Sequence, residues 1–281
     1  MKCESLMKYS LLVVAAWSGM TIGMTVCSAQ TPAVVQGGVL NGASFAKGQP
    51  ISPGGLVSIF GTGLVSKLAT ADTIPLSNSL AGVTVTFSDL PPAPLLAAIP
   101  GVPGQSDDQI NAQVPWEIGS GTGVVNVQVK TPNGISAPVA VNFAPSMPGI
   151  FSSSAGGQLY AIAVNSSDSS LAWPQGLAGS GSHPAKAGDV LIVYATGLGA
   201  VDHQPVDGGI PGALANTIAT PTVLFGGVAG DVLFSGLAPQ FVGVNQLNVQ
   251  VPAGVQAGST VPLQIQVNGF TSTNHVVVAI Q

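Results

Sequence analysis

Part of the chain is written twice. Gly54-Gly-Leu-Val-Ser-Ile-Phe-Gly-Thr-Gly-Leu64 returns as Gly188-Asp-Val-Leu-Ile-Val-Tyr-Ala-Thr-Gly-Leu198, 134 residues later. Asp108-Gln-Ile-Asn-Ala-Gln-Val-Pro115 returns as Asn245-Gln-Leu-Asn-Val-Gln-Val-Pro252, 137 residues later. Between and after these, Val85-Thr-Phe87 answers Val223-Leu-Phe225, Val127-Gln-Val129 answers Ile265-Gln-Val267, and Asn133-Gly134 answers Asn268-Gly269. Chance matches do not keep both their order and a near-constant offset, so the chain is read as two homologous units of ordinary domain size. The expected boundaries are 30–147 and 148–281. The second unit is expected to open with a hairpin at about 158–174, built from Tyr160-Ala-Ile-Ala-Val164, the turn Asn165-Ser-Ser-Asp168 and Leu171-Ala-Trp173.

Within each unit the apolar period is two. Gln109, Asn111 and Gln113 alternate with Ile110, Ala112 and Val114, the signature of a half-buried strand. Runs of Val, Ile, Thr and Phe are separated by turn signals such as Ser52-Pro-Gly-Gly55 and Pro132-Asn-Gly134, and no segment keeps a helical period over ten residues. Many short strands in each unit predict an all-β chain of two tandem immunoglobulin-like antiparallel β-sandwiches. Gly61 and Gly63, like Gly197 and Gly199, follow strands that end in Phe60 and Tyr194, and read as bulge or tight-turn residues. With Asn111, Pro115, Asn248 and Pro252 they form the repeated structural motif. All three amides survive in both copies while their apolar neighbours drift. That predicts that Asn111 and Asn248 bond backbone across a covering loop, leaving Gln109, Gln113, Gln246 and Gln250 for ligand contacts.

Only 6 Lys plus Arg and 11 Asp plus Glu occur in 281 residues, and all six cations are Lys. Without arginine there are no bidentate donors for phosphate or guanine, which excludes nucleic acid as a partner. The first thirty residues read as an address. Lys2 and Lys8 precede the apolar Leu11-Leu-Val-Val-Ala-Ala16, and Cys27-Ser28-Ala29 supplies small residues before Gln30. Residues 1–29 are therefore expected to be a signal peptide, cleaved before Gln30 and removing both cysteines. The mature chain would be extracytoplasmic: secreted, periplasmic or on the cell surface. With glycine and proline spread throughout, it has no unbroken apolar stretch of membrane-spanning length.

The search for chemistry returns little. Asp107 and Asp108 are adjacent on a Gly/Pro/Ser-rich loop and read as solvated. Asp202, His203 and Asp207 share one loop but offer too few oxygens for calcium. His183 and His275 read as satisfied or exposed imidazoles. There is no Gly-x-Ser-x-Gly, no cysteine beyond residue 27, no His-Glu-x-x-His and no Gly-Lys-Ser/Thr. No catalytic, metal or cofactor residues are assigned. Aromatic rings are the remaining signal: Trp116, Trp173 and Tyr160 have the flat apolar body and polar edge that suit a sugar. Trp116 stands where the second unit has Ala253, so the fold itself does not demand a large ring there.

Pro53-Gly-Gly-Leu-Val-Ser-Ile-Phe-Gly-Thr-Gly-Leu64 resembles the opening of IPT/TIG immunoglobulin-like domains. Together with Asn41-Gly-Ala-Ser-Phe45, Gln109-Ile-Asn-Ala-Gln-Val-Pro-Trp116, Pro148-Gly-Ile-Phe151 and Pro184-Ala-Lys-Ala-Gly-Asp-Val-Leu-Ile-Val-Tyr-Ala-Thr-Gly-Leu-Gly199, it is similar to an uncharacterised C-terminal domain family of secreted acidobacterial proteins. The resemblance runs from about Val39 to Gln281. It implies an immunoglobulin-like fold outside the cytoplasm and supplies no activity. The expected function is a non-catalytic structural or adhesion module. The alternative is a carbohydrate-binding protein using Trp116 or Trp173, with an extracellular glycan or surface protein as partner, and an enzyme with a loop-built site comes third.

Overall fold

The computed structural model describes residues 31–102, 104 and 107–281, so the signal-peptide expectation for 1–29 lies outside the described residues. Among the described residues the fold is nearly all-β, the two helical elements there being single 3-10 turns at Trp116–Ile118 and Gly179–Gly181. No helix among the described residues is long and apolar enough to cross a membrane.

The first unit contains β1 (Ala33–Asn41), β2 (Leu56–Thr62), β3 (Ala69–Thr70), β4 (Thr84–Phe87), β5 (Leu95–Ile99), β6 (Asp108–Gln113), β7 (Gly123–Thr131), β8 (Gly134–Ile135) and β9 (Val139–Phe143). They form two sheets, ordered β1-β2-β6-β5-β3 and β4-β7-β8 with β9 on β7. Alternate residues Val57, Ile59, Val85, Phe87, Ile110, Ala112, Val127 and Val129 point between the sheets and make one buried cluster. The second unit contains β10 (Gly149–Ile150), β11 (Ser152–Ala155), β12 (Gln158–Ala161), β13 (Ala163–Asn165), β14 (Val190–Thr196), β15 (Thr222–Phe225), β16 (Val228–Leu237), β17 (Asn245–Gln250), β18 (Gly258–Val267), β19 (Phe270–Thr271) and β20 (Val277–Ile280). Its core, with Leu191, Val193, Phe225, Leu247 and Val249, is a separate cluster.

The duplication is visible in strand register. β2 pairs with β6 from Leu56 opposite Gln113 to Gly61 opposite Asp108, and β14 pairs with β17 from Val190 opposite Gln250 to Ala195 opposite Asn245. All six pairs correspond. A bulge falls at Leu96 in β5 and at the equivalent Leu233 in β16. The first residue of each amide strand holds the turn that follows the neighbouring strand: Asp108 Oδ2 accepts Leu64 N–H (2.8 Å), and Asn245 Oδ1 accepts Leu198 N–H (3.2 Å). Asp108 also accepts Val65 and Gly101 N–H groups, so it is a cap and not the solvated loop residue the sequence suggested. Two sequence equivalences shift. Val129 lies opposite Val85 as Ile265 lies opposite Val223, so Val129 matches Ile265 and the expected Val127–Ile265 pairing slips by two. The hairpin loops are Pro132-Asn133 and Asn268-Gly269, a slip of one from the Asn-Gly match. Periodicity specifies the face of a strand, and a two-residue slip leaves the face unchanged.

The two units diverge in how their layers join. In the first, Ser88-Asp-Leu-Pro-Pro-Ala-Pro94 separates β4 from β5; its prolines cannot donate ladder bonds, and the sheets stay apart. In the second, Gly226-Gly227 turns the chain directly into β16, which pairs with β15 through Val228–Gly230 and with β17 from Asp231 onward. At the changeover a Cβ on Gly230 would lie 2.7 Å from Gln250 O, so the strand bends where it lacks a side chain. On the opposite side residues 158–165 cross between layers, β12 running parallel to β20 and β13 antiparallel to β14. The result is one nearly closed, barrel-like sheet in place of an open sandwich. Within 158–174 the chain folds back across the 165–170 turn, Leu171 bridging Val164 antiparallel and Ala172 N–H donating to Ala163 O, while β12 also turns back on β11 through Gly156-Gly157.

Candidate functional site

The repeated turns build a seam between the units. The start of β2 meets the end of β14: Leu56 N–H donates to Thr196 Oγ1 (2.8 Å), whose hydroxyl donates to Gly243 O (2.7 Å). Met147 N–H donates to Gly197 O (2.8 Å), and Asn41 Nδ2 to Met147 O (3.0 Å). Gly197 and Gly199 take positive φ, as does Gly63; Gly61 instead leaves room for the Ala33 carbonyl of β1. Pro115 and Pro252 end the amide strands in both units, following Val114 N–H to Gly55 O and Val251 N–H to Asp189 O.

Trp116 lies in this seam. It is 8% exposed and packs with Val201, Ala215 and Leu237 of the second unit, while its six-membered ring covers Gly54 so closely that any Cβ there would overlap it. Its backbone N–H donates to Asp207 Oδ1 (3.1 Å), and its buried indole N–H has no hydrogen-bond partner among the described residues. Beside it runs a cavity of about 300 Å³, walled by Pro53, Trp116, Glu117, Gln204, Ile218 and Asn268 among others. Burial pushes the Asp207 carboxyl up to about 6, the Trp116 N–H opposing that and the nearby Glu117 carboxylate adding to it. Sequence spacing could not bring Trp116 and Asp207 together, because the contact lies between units.

Trp173 is not an open platform either. It is 6% exposed, its Nε1 donates to Ala161 O (2.7 Å), and its ring centroid lies 5.6 Å from that of Tyr160, closing β12 against β20. Both tryptophans fill gaps between elements; neither presents a face to solvent.

The amide strands invert the expected roles. Gln113 is fully buried, donating to Gly54 O (3.3 Å) and accepting Gly208 N–H (2.6 Å) from the second unit's loop. Gln250 makes the equivalent bond to Gly188 O (3.1 Å) on an exposed edge. The third amide, not the central one, thus bonds backbone across a loop. Asn111 and Asn248 bond side chains on the outer face: Gln109 Nε2 donates to Asn111 Oδ1 (2.7 Å) and Gln246 Nε2 to Asn248 Oδ1 (2.9 Å). Their outward position follows from strand parity, since Leu247 and Val249 occupy the core side.

One convergent polar set escaped the sequence. Asp168, Ser170 and His183 meet where the 165–170 turn approaches Pro184. Asp168 Oδ2 lies 2.7 Å from His183 Nε2, and Ser170 Oγ donates to Asp168 Oδ1 (2.7 Å). The hydrogen bond from His183 holds the Asp168 carboxyl well below the usual carboxylate range, and the same bond raises the imidazole. Both partners lie on one edge of the ring, Nδ1 being taken up by Pro184 O (2.9 Å). A nucleophile needs its base and the base's orienting group on opposite ring nitrogens. This set is an ion pair with a hydroxyl clamp. Asp202 is likewise engaged, its two oxygens accepting Asn216 N–H (2.8 Å) and Asn216 Nδ2 (2.9 Å), with its carboxyl held low mainly by the Asn216 side chain. Among the described residues no three His, Cys, Asp or Glu side chains are grouped to hold a metal ion.

No protein-family model matches the chain, and no curated protein matches it. Among solved structures it is similar to endo-fucoidan hydrolases from glycoside hydrolase family 107. A variant of MfFcnA4 is 13% identical over 83% of this chain (TM-score 0.16), MfFcnA9 is 12% identical over 82% (TM-score 0.15), and MfFcnA4 is 11% identical over 83% (TM-score 0.13). The chain spans 28%, 32% and 42% of their respective lengths, and a likeness this slight carries no argument.

Proposed function

We propose that the chain is an exported, non-catalytic structural or adhesion module of two immunoglobulin-like units that act as one rigid body. The observation that carries this reading is the seam. Thr196, Gly197 and Gln113 spend their polar groups on the other unit's backbone, and Trp116 is buried against both. A surface module that transmits load or holds a ligand at a fixed position needs such a joint; independent units on a linker do not. The resemblance to secreted IPT/TIG-like proteins and the basic-apolar leader support placement outside the cytoplasm. The geometry of Asp168, Ser170 and His183 supports a non-catalytic role, because no free base faces a nucleophile. The test uses the full chain, tagged at its C-terminus, in a Gram-negative producer. It is expected outside the inner membrane, beginning at Gln30 and retained on cells or cell-wall material. Recovery from the cytosol with residues 1–29 intact, or turnover of a polysaccharide or ester by the purified chain, overturns the reading.

The alternative, carbohydrate binding, rests on other rings than the two tryptophans.

A further inference from the structure

The geometry points to a pair of sugar-binding platforms, one on the outer sheet face of each unit, for neutral oligosaccharide chains. In the first unit Phe60 stands directly opposite Gln109 across β2 and β6, with Asn111 two residues along. In the second, Tyr194 stands opposite Gln246 across β14 and β17, with Asn248 two residues along. Each strand ring carries a second aromatic: Phe45 lies 6.3 Å from Phe60, and Phe241 lies 6.5 Å from Tyr194. Phe45 and Phe241 are 47% and 53% exposed, unusually open for phenylalanine.

The origin of the outer rings separates this arrangement from simple inheritance. Phe45 comes from the turn after β1, whereas Phe241 comes from the loop between β16 and β17. The strand positions are copies of one another; the covering rings are not. Two non-equivalent loops have thus each set an exposed phenylalanine beside the copied strand ring, which duplication alone does not produce. Core packing does not require the amides either, since they bond each other and lie away from the apolar side.

The chemistry selects the ligand. Aromatic rings suit the C–H face of a sugar, and adjacent amides can both donate to and accept from its hydroxyls. The Gln–Asn bond in the second unit occupies Gln246 Nε2 and Asn248 Oδ1, leaving Gln246 Oε1 and Asn248 Nδ2 for a ligand. Beside this platform a groove of about 460 Å³ is walled by Leu214, Phe234, Pro239, Gln246 and Asn248 and contains no charged side chain. In the first unit a groove of about 400 Å³ lies on the β1 side of the platform, bordered by Phe45 and Phe60 and not by the amides, and carries Lys47 and Asp107, which offset each other in charge. Both volumes fall within the range of small-ligand sites. A neutral ligand matches both. Two platforms on one rigid body would also hold a polymer more tightly than a short oligomer.

This inference rests on the binding-module reading and can fail without it. The probes are hexasaccharides and soluble polymers of cellulose, laminarin, xylan, mannan and starch, titrated into the purified chain by calorimetry and followed by amide chemical shifts. At least one series is expected to bind and to shift Gln109, Asn111, Gln246 and Asn248 side-chain resonances. Phe241→Ala and Phe45→Ala should each weaken binding at their own platform about tenfold, the loss of one stacked ring. The double variant should lose the gain in affinity of polymer over hexasaccharide. Because both rings are exposed, an unchanged thermal midpoint will show that the variants fold. Absence of binding across all five series at millimolar ligand overturns the inference while leaving an adhesion role intact. Binding that survives the double variant, or that maps to the Trp116 cavity, overturns it as well.

Discussion

Gln113 and Gln250 show how far one residue's contribution depends on what covers it. They occupy the same strand position and bond the same carbonyl, Gly54 O and Gly188 O respectively. Gln113 is sealed beneath the second unit's 202–209 loop and also satisfies Gly208 N–H, whereas Gln250 lies at an open edge. Gln113→Ala leaves a buried donor and acceptor unpaired and should lower stability by about 1–3 kcal/mol. Gln250→Ala should stay within about 0.5 kcal/mol. Denaturant titrations with equal slopes will decide; equal midpoints for the two variants would contradict this account. Asp207, from the same loop, makes the seam sensitive to pH. Its folded carboxyl titrates at about 6, above the 3.8 it has when exposed, so between these values the folded state holds a proton that the unfolded chain releases. The contribution of Asp207 to stability should therefore rise as pH falls from 7.5 to 5 and level off below about 4. His183, raised by Asp168, contributes in the same direction, so the test compares parent with Asp207→Asn. The variant should show a flatter rise in thermal midpoint over this range, and an unchanged slope would remove Asp207 from the explanation.

At the scale of strands, the two copies share a device that no motif announced. Where β7 and β18 lose a regular ladder partner, a serine supplies the acceptor: Val129 N–H donates to Ser136 Oγ and Ile265 N–H to Ser272 Oγ, each at 3.0 Å. Both serines are buried and return their own N–H to the same strand residue's carbonyl. Ser136→Ala and Ser272→Ala should each cost about 1–3 kcal/mol by stranding a buried N–H. Similar losses in both units, measured by chemical denaturation, would confirm that the device was duplicated along with the strands. The strands themselves were legible because period-two alternation states which side chains face the core, and the repeat gave β2, β6, β14 and β17 their correspondence. Registers were less legible: a slip of two keeps every apolar residue inward, as the Val127–Ile265 match shows. The barrel-like closure of the second unit was hidden because no local pattern marks Gly226-Gly227 and Gly230 as the positions that let one strand serve both layers. The candidate sites were hardest to read. Burial of Trp116 by the other unit, and the meeting of Asp168, Ser170 and His183, depend on long-range packing that leaves no local spacing behind.

Across the whole molecule, each unit has its own core, and the question is whether they unfold separately. Separate cores permit independent melting; a seam of well-made bonds couples it. The bonds Leu56–Thr196, Met147–Gly197 and Gly208–Gln113 each engage a backbone N–H across the joint in which Trp116 is buried, and opening the joint would expose their polar groups together. The parent chain is therefore expected to unfold in one calorimetric transition whose van't Hoff and calorimetric enthalpies agree. The joint depends on close backbone approach, and two glycines permit it. At Gly54 a Cβ would overlap the Trp116 ring, and at Gly197 it would overlap Met147 O, each also at positive φ. Neither residue contributes a side chain to either core. Gly54→Ala or Gly197→Ala should therefore disturb the seam far more than the units, splitting the single transition into two and raising the radius of gyration measured by small-angle scattering. Retention of secondary structure by circular dichroism will show that the units survive. One undivided transition in both variants, with unchanged scattering, would mean that the units are coupled by something other than this seam, and the rigid-body reading of the protein's function would lose the observation it stands on.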